Sequence, residues 1–160
     1  MTSDIDKIAQ NLQEAIFKGY SEKFKQELFN PKNIGKIKDA DSQVSITGIC
    51  GDTIEMYLVI KGQRINDIKF MTDGCGATIA CASYIARAVK GKTIEEAIKI
   101  KTEDVDSYFE GLPQESKHCV KLAIDTLKAA INKYEIKEQK QKIASMKRKK
   151  KSSNEETAIV

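Results

Sequence analysis

The chain has no tryptophan, one histidine, two prolines and nine glycines in 160 residues. So little proline and glycine excludes collagen-like and low-complexity sequence, and 41% hydrophobic against 31% charged residues is the composition of a chain that folds. No apolar run approaches the ~18 to 20 residues of a membrane span. No C-x-x-C pair occurs, which removes the direct signatures of zinc ribbons and ferredoxins. The stretch Met1 to Lys7 carries Asp4 and Asp6 and leads into no apolar run, so it fits neither a secretory signal nor a transit peptide. A cytoplasmic location is expected. The length is that of one domain with a real core.

What is present is charge, and its placement decides its meaning. The formal net charge is +4, from 27 Lys and Arg against 23 Asp and Glu. Residues 135–160 hold eight basic side chains (Lys137, Lys140, Lys142, Lys147, Arg148, Lys149, Lys150 and Lys151) against four acidic ones, which leaves 19 of each sign in residues 1–134. The division predicts a neutral globular domain over 1–134 and a basic, flexible tail over 135–160. A neutral domain offers no basic excess to a phosphate backbone. The run Lys147 to Lys151 can attract polyanions, but no aromatic side chain follows Tyr134 to stack on a base, so nucleic acid is not expected as a partner.

Periodicity gives the elements. Ile5, Ile8, Leu12 and Ile16, then Tyr20, Phe24 and Leu28, recur at helical spacing and predict one amphipathic helix or two, broken at Asn30-Pro31. Strands are predicted over Val44 to Ile49, Ile54 to Ile60 and Ile65 to Met71, the last two joined by a turn at Lys61 to Arg64. From Gly76 the period is helical again up to about Gly91. Thr93 with Glu96 forms a capping box, Asp104 to Phe109 reads as a short helix, and Ser116 is the expected N-cap of a final helix reaching Tyr134.

The four cysteines fall on this map unequally. Cys81 lies on a helical stripe and reads as packing. Cys50, Cys75 and Cys119 lie at element boundaries, where a side chain can reach a metal without being packed into a core. Cys50-Gly51-Asp52 sets a carboxylate two residues from a thiol. Gly74-Cys75-Gly76 leaves its thiol uncrowded before a helix, and Cys119 sits in a first helical turn beside His118, so helix N-termini are expected to favour both thiolates. Three thiols with a carboxylate or an imidazole suit zinc, or iron in an iron-sulfur cluster. An oxygen or nitrogen donor in place of a fourth thiolate weakens a soft site, as suits a cluster meant for release.

These residues resemble the NifU/IscU family of iron-sulfur cluster assembly scaffolds. The matching motifs run in family order: Tyr20 and Phe24 before Asn30-Pro31-Lys32-Asn33-Ile34-Gly35, then Cys50-Gly51-Asp52, Asp73-Gly74-Cys75-Gly76-Ala77-Thr78, Val89-Lys90-Gly91-Lys92-Thr93, and Leu112-Pro113 leading to His118-Cys119. The resemblance implies an α+β fold, a three-stranded antiparallel β-sheet packed against helices, with an N-terminal helix and a long C-terminal helix. It implies a scaffold and not an enzyme, one that builds a transient 2Fe-2S cluster from iron and from persulfide sulfur supplied by a cysteine desulfurase (IscS/NifS-like), then passes it to acceptor apoproteins. By motif, Cys50, Cys75 and Cys119 are the cluster ligands, with Asp52 or His118 as the fourth, and Cys119 is the persulfide acceptor. A zinc-bound apo form, a homodimer, and a zinc-holding sulfurtransferase of the SufU branch stay open. Leu112-Pro113-Gln114-Glu115-Ser116 departs from the stretch that the chaperone-linked branch carries, so a dedicated Hsp70-type chaperone is not expected as a partner.

Overall fold

A computed structural model describes residues 3–158, with six helices and one sheet. Helix α1 (Asp4–Ile16) starts at a capping box, Ser3 with Asp6. After a short turn, α2 (Glu22–Phe29) starts at Ser21, whose hydroxyl accepts the Phe24 N–H. Strands β1 (Ser42–Thr47), β2 (Thr53–Lys61) and β3 (Arg64–Thr72) follow, then α3 (Gly76–Val89), α4 (Ile94–Ala97), α5 (Thr102–Tyr108) and α6 (Lys117–Ala158).

The sheet is antiparallel in the order β1-β2-β3. Ile54, Met56, Leu58 and Ile60 alternate onto one fully or nearly buried face of β2, as the pattern predicts. On β3 the buried residues are Ile65, Ile68 and Phe70, and the step of three from Ile65 breaks strict alternation. A register shift at Val59/Ile60 pairs Ile60 with Ile65 while Leu58 pairs with Ile68, so both isoleucines reach the core. Helices α3 and α6 cover this face. The α3 surface is largely Ala80, Cys81, Ala82 and Ala86, all 0% exposed, which brings the helix close to its neighbours. The segment after α2 runs beside β3, with the Phe70 N–H donating to the Asn33 carbonyl and the Gly35 N–H to the Phe70 carbonyl.

Buried Glu27 locks α2 to α3. It accepts from the Ser83 hydroxyl at 2.7 Å and from Arg87, while Ser83 accepts the Lys32 N–H at 2.8 Å. Glu27→Ala leaves the Ser83 hydroxyl and the Arg87 guanidinium without their anion, and hydrogen bonds to charged groups are worth ~1.5–3 kcal/mol each. The variant is expected to lose about 2–3 kcal/mol, read as an earlier urea midpoint at unchanged slope. An unmoved midpoint would remove Glu27 from the account.

Two elements differ from the sequence pattern. Ser116 does not cap α6. A 3-10 turn (Gln114–Ser116) runs into the helix, and the buried Ser116 hydroxyl bonds the Tyr20 hydroxyl at 2.7 Å, tying the chain before α2 to the start of α6. Helix α6 is the long C-terminal helix expected: it runs on past Tyr134 to Ala158, with core burial ending at Ile131. The apolar stripe of α1 faces solvent, with Ile5, Ile8, Leu12 and Ile16 each more than half exposed.

Candidate metal or cluster site

Three chain turns meet at one end of the sheet. Between β1 and β2, the Gly48 N–H bonds the Asp52 carbonyl and the Gly51 N–H bonds the Gly48 carbonyl, a reversal that needs the positive φ of Gly51 (87°). It carries Ile49 (98% exposed) and Cys50 outward, so Cys50 sits at a loop tip and not at a strand end. Asp52 precedes β2. Beyond β3, Asp73 accepts the Thr53 N–H at 2.8 Å and Thr72 donates its hydroxyl to the Thr53 carbonyl at 2.6 Å, which fixes the second turn against the first. Cys75 is the N-cap of α3, and Cys119 is the third residue of α6.

The carboxylate of Asp52 organises the cluster. Its Oδ2 accepts from the Thr78 hydroxyl at 2.8 Å and from the Cys75 N–H at 3.3 Å. The Thr78 bond is the main force holding its carboxyl below the usual range, against a smaller upward push from burial. Cys75 Sγ lies 3.9 Å from Cys119 Sγ and 3.6 Å from Thr78 Oγ1, and His118 Nε2 lies 3.4 Å from Cys119 Sγ. Donor atoms of Asp52, Cys75 and Cys119 all fall within 4.8 Å of one another. Cys50 is outside that group, on the rim, near enough for its thiol to favour the charged form of Asp52.

The site does not favour a Cys119 thiolate. Although the residue stands in a first helical turn, burial dominates and pushes its thiol up to about 11, a Thr78 hydrogen bond pulls against this, and the neighbouring Cys75 and Cys50 add to the rise. A group 1% exposed loses hydration that the helix terminus does not replace. Cys81, fully buried, is likewise pushed well above the ordinary thiol range, and it serves as packing.

Thr78 is the residue that sequence reasoning passed over. It is 0% exposed, and its hydroxyl holds Asp52 while touching Cys75. The available signal was Cys75-x-x-Thr78, which places a hydroxyl at the third position after the N-cap. Gly74 completes this packing: a Cβ there would lie 2.9 Å from both Asp52 Oδ2 and the Thr78 side chain, so only glycine lets the carboxylate and hydroxyl meet beneath the turn.

The three boundary thiols should therefore differ in reactivity. With iodoacetamide at neutral pH, Cys50 and Cys75 are expected to be alkylated first and Cys119 much more slowly, with Cys81 modified only on unfolding. Because its thiol is raised, the Cys119 rate should climb about tenfold per pH unit between 7 and 10 as thiolate accumulates. Peptide mass spectrometry over time reads the order; Cys119 reacting as fast as Cys50 would contradict it.

An α+β sheet end that gathers thiols and one carboxylate, ordered by a buried hydroxyl, defines a protein suited to thiophilic metal. The chain belongs to the NifU/IscU family: the model for the NifU-like N terminal domain matches residues 19–141. It is similar to the iron-sulfur cluster assembly scaffold protein IscU 1 of Archaeoglobus fulgidus, 46% identical over 116 residues that cover 72% of this chain and 76% of that protein. The scaffold protein IscU of Haemophilus influenzae is 41% identical over 125 residues, covering 74% and 98%. Among solved structures, the N-terminal NifU-like protein of Brucella abortus aligns with a TM-score of 0.64 at 20% identity over 73% of this chain and 94% of that one. A scaffold protein for the SUF system of Fervidobacterium islandicum aligns at 0.61, with 23% identity and coverage of 72% and 98%. Both structures support the α+β fold. Among the described residues no helix is long and apolar enough to cross a membrane.

Proposed function

We propose that the chain is an iron-sulfur cluster assembly scaffold, which builds a transient 2Fe-2S cluster at Cys50, Cys75 and Cys119 with Asp52 or His118 and releases it to acceptor apoproteins. The observation that carries this reading is the meeting of Asp52, Cys75 and Cys119 donor atoms within 4.8 Å, with a further thiol on the rim and an imidazole at hand. Family membership supports it, since the relatives named above are themselves named scaffold proteins.

Iron and sulfur are the cargo here. A thiolate of the chain attacks the outer sulfur of a desulfurase persulfide, the S–S bond breaks, and the desulfurase cysteine leaves as thiolate. Cys119 is the acceptor in this reading. Burial and the raised thiol of Cys119 make exposed Cys75, 3.9 Å away, the entry point from which sulfur is relayed inward by a second exchange of the same kind. Conversion of bound sulfane sulfur to sulfide takes two electrons from an electron-carrier protein. The carboxylate, a hard oxygen donor among thiolates, keeps the assembled cluster exchangeable.

Protein purified without oxygen alongside its desulfurase is expected to contain iron and acid-labile sulfide in equal amounts. One tightly held zinc and no labile sulfide would instead favour a zinc-holding sulfur relay, which the same donors could also support.

A further inference from the structure

We propose that the outer part of α6 is a binding arm for double-stranded DNA, seated in the groove of the duplex and held there by the phosphates. Between Glu138 and Glu155 the chain carries seven cations (Lys140, Lys142, Lys147, Arg148, Lys149, Lys150 and Lys151) and no anion. All seven stand on α6, and every residue from Gln139 to Ser153 is exposed. Residues 1–134 are formally neutral, so the basic excess of the chain is concentrated on this arm. Lys142 to Lys151 lie beyond the family match at 19–141. The nearest of the seven, Lys140, is about 32 Å along α6 from Cys119, so the thiol site makes no use of them and stays open when the arm is occupied.

The helix decides what these charges fit. At about 100° per residue, Lys142, Lys147, Arg148, Lys149, Lys150 and Lys151 surround the axis with no gap wider than about 100°. A flat anionic surface meets one side of such a rod and leaves the cations on the other side unpaired. The major groove of a duplex, about 12 Å wide, admits a helix and has phosphates along both walls. Over the ~17 Å from Lys140 to Lys151 a duplex presents about ten phosphate charges, enough to pair with all seven cations.

A membrane surface fits less well for a second reason. Ile143 and Met146 are the large apolar side chains of this stretch, 53% and 69% exposed, and Lys150 projects between them around the axis. Charge therefore interrupts the face that would have to enter a bilayer. The expectation against nucleic acid rested partly on the absence of aromatic side chains after Tyr134. That absence bears on single strands, whose open bases are held by stacking on rings. A duplex keeps its bases stacked on one another and is held through its backbone.

The test is fluorescence anisotropy of a labelled DNA duplex of about 20 base pairs and arbitrary sequence, titrated with the full-length chain across roughly 0.05 to 0.2 M salt. Wild type is expected to bind with a log–log salt slope of about −6, from seven phosphate contacts at about 0.9 each. Lys147→Gln, Arg148→Gln, Lys149→Gln, Lys150→Gln and Lys151→Gln together should bring the slope to about −2 and weaken binding at least about thirtyfold at ~0.1 M salt. All five positions lie past the last buried residue, Ile131, so the fold should persist, and far-ultraviolet circular dichroism checks it. Ala144→Pro keeps every charge but bends the helix within the arm, and it should weaken duplex binding about tenfold, a loss that an unstructured polycation would not show. A single strand of the same sequence should bind more weakly than the duplex. A wild-type slope shallower than about −2, a proline variant that binds as tightly as wild type, a preference for the single strand, or vesicles of phosphatidylserine and phosphatidylcholine that strip the protein from the duplex would each overturn the proposal.

Discussion

Cys119→Ser is expected to abolish cluster assembly while leaving the fold intact. The exchange is nearly isosteric at a site 1% exposed, so no cavity is opened, and burying the hydroxyl costs about 1–3 kcal/mol, which a folded domain of this size tolerates. What disappears is the soft donor. Cys119 is on the first turn of the helix that crosses the sheet, 3.9 Å from Cys75 and 3.4 Å from His118, so its sulfur stands at the meeting point of the donors. Serine stays a protonated hydroxyl at neutral pH and holds iron poorly. Loss of an outer partner of a metal ligand alone costs ~10–100-fold in affinity, so loss of a thiolate ligand should exceed roughly 100-fold. Iron retained after desalting under nitrogen measures this. Iron binding within a few-fold of wild type would remove Cys119 from the site.

Asp52→Ala should act in the opposite sense on lifetime. The carboxylate is held low and charged by Thr78 and by the Cys75 N–H, which keeps an anionic oxygen donor beside the sulfurs. Without it, His118 is placed to take the fourth position, and imidazole suits iron better than carboxylate does. The assembled cluster is expected to persist about tenfold longer against a chelator, within the range that changes around a metal produce. Adding His118→Ala in that background should undo the gain. Equal lifetimes in wild type and Asp52→Ala would mean that the carboxylate does not control release.

Much of this was legible from residue order alone. The alternation along β2, the change to helical period at Gly76 and the burial of Cys81 all follow from local pattern, and the structure agrees with each. What local pattern cannot carry is anything decided across elements. The shift at Val59/Ile60 that buries both Ile65 and Ile68 depends on how β2 and β3 pair. Ser116 looks like a cap until Tyr20, 96 positions earlier, claims its hydroxyl. Helix position favours a Cys119 thiolate, whereas the burial that opposes it comes from packing. Thr78 gains its role only when the turn at Gly74 brings Asp52 against it. An amphipathic period over Ile5 to Ile16 predicted α1, yet gave no sign that its apolar face would lie uncovered.

The central claim is that the meeting point of these three turns holds an iron-sulfur cluster, and anaerobic reconstitution with iron, cysteine and a desulfurase tests it most directly. Wild type should gain the visible absorbance of a 2Fe-2S cluster, and a chain with Cys50, Cys75 and Cys119 all changed to Ser should gain none. A wild type that stays colourless, or a triple variant that colours equally, would contradict the account.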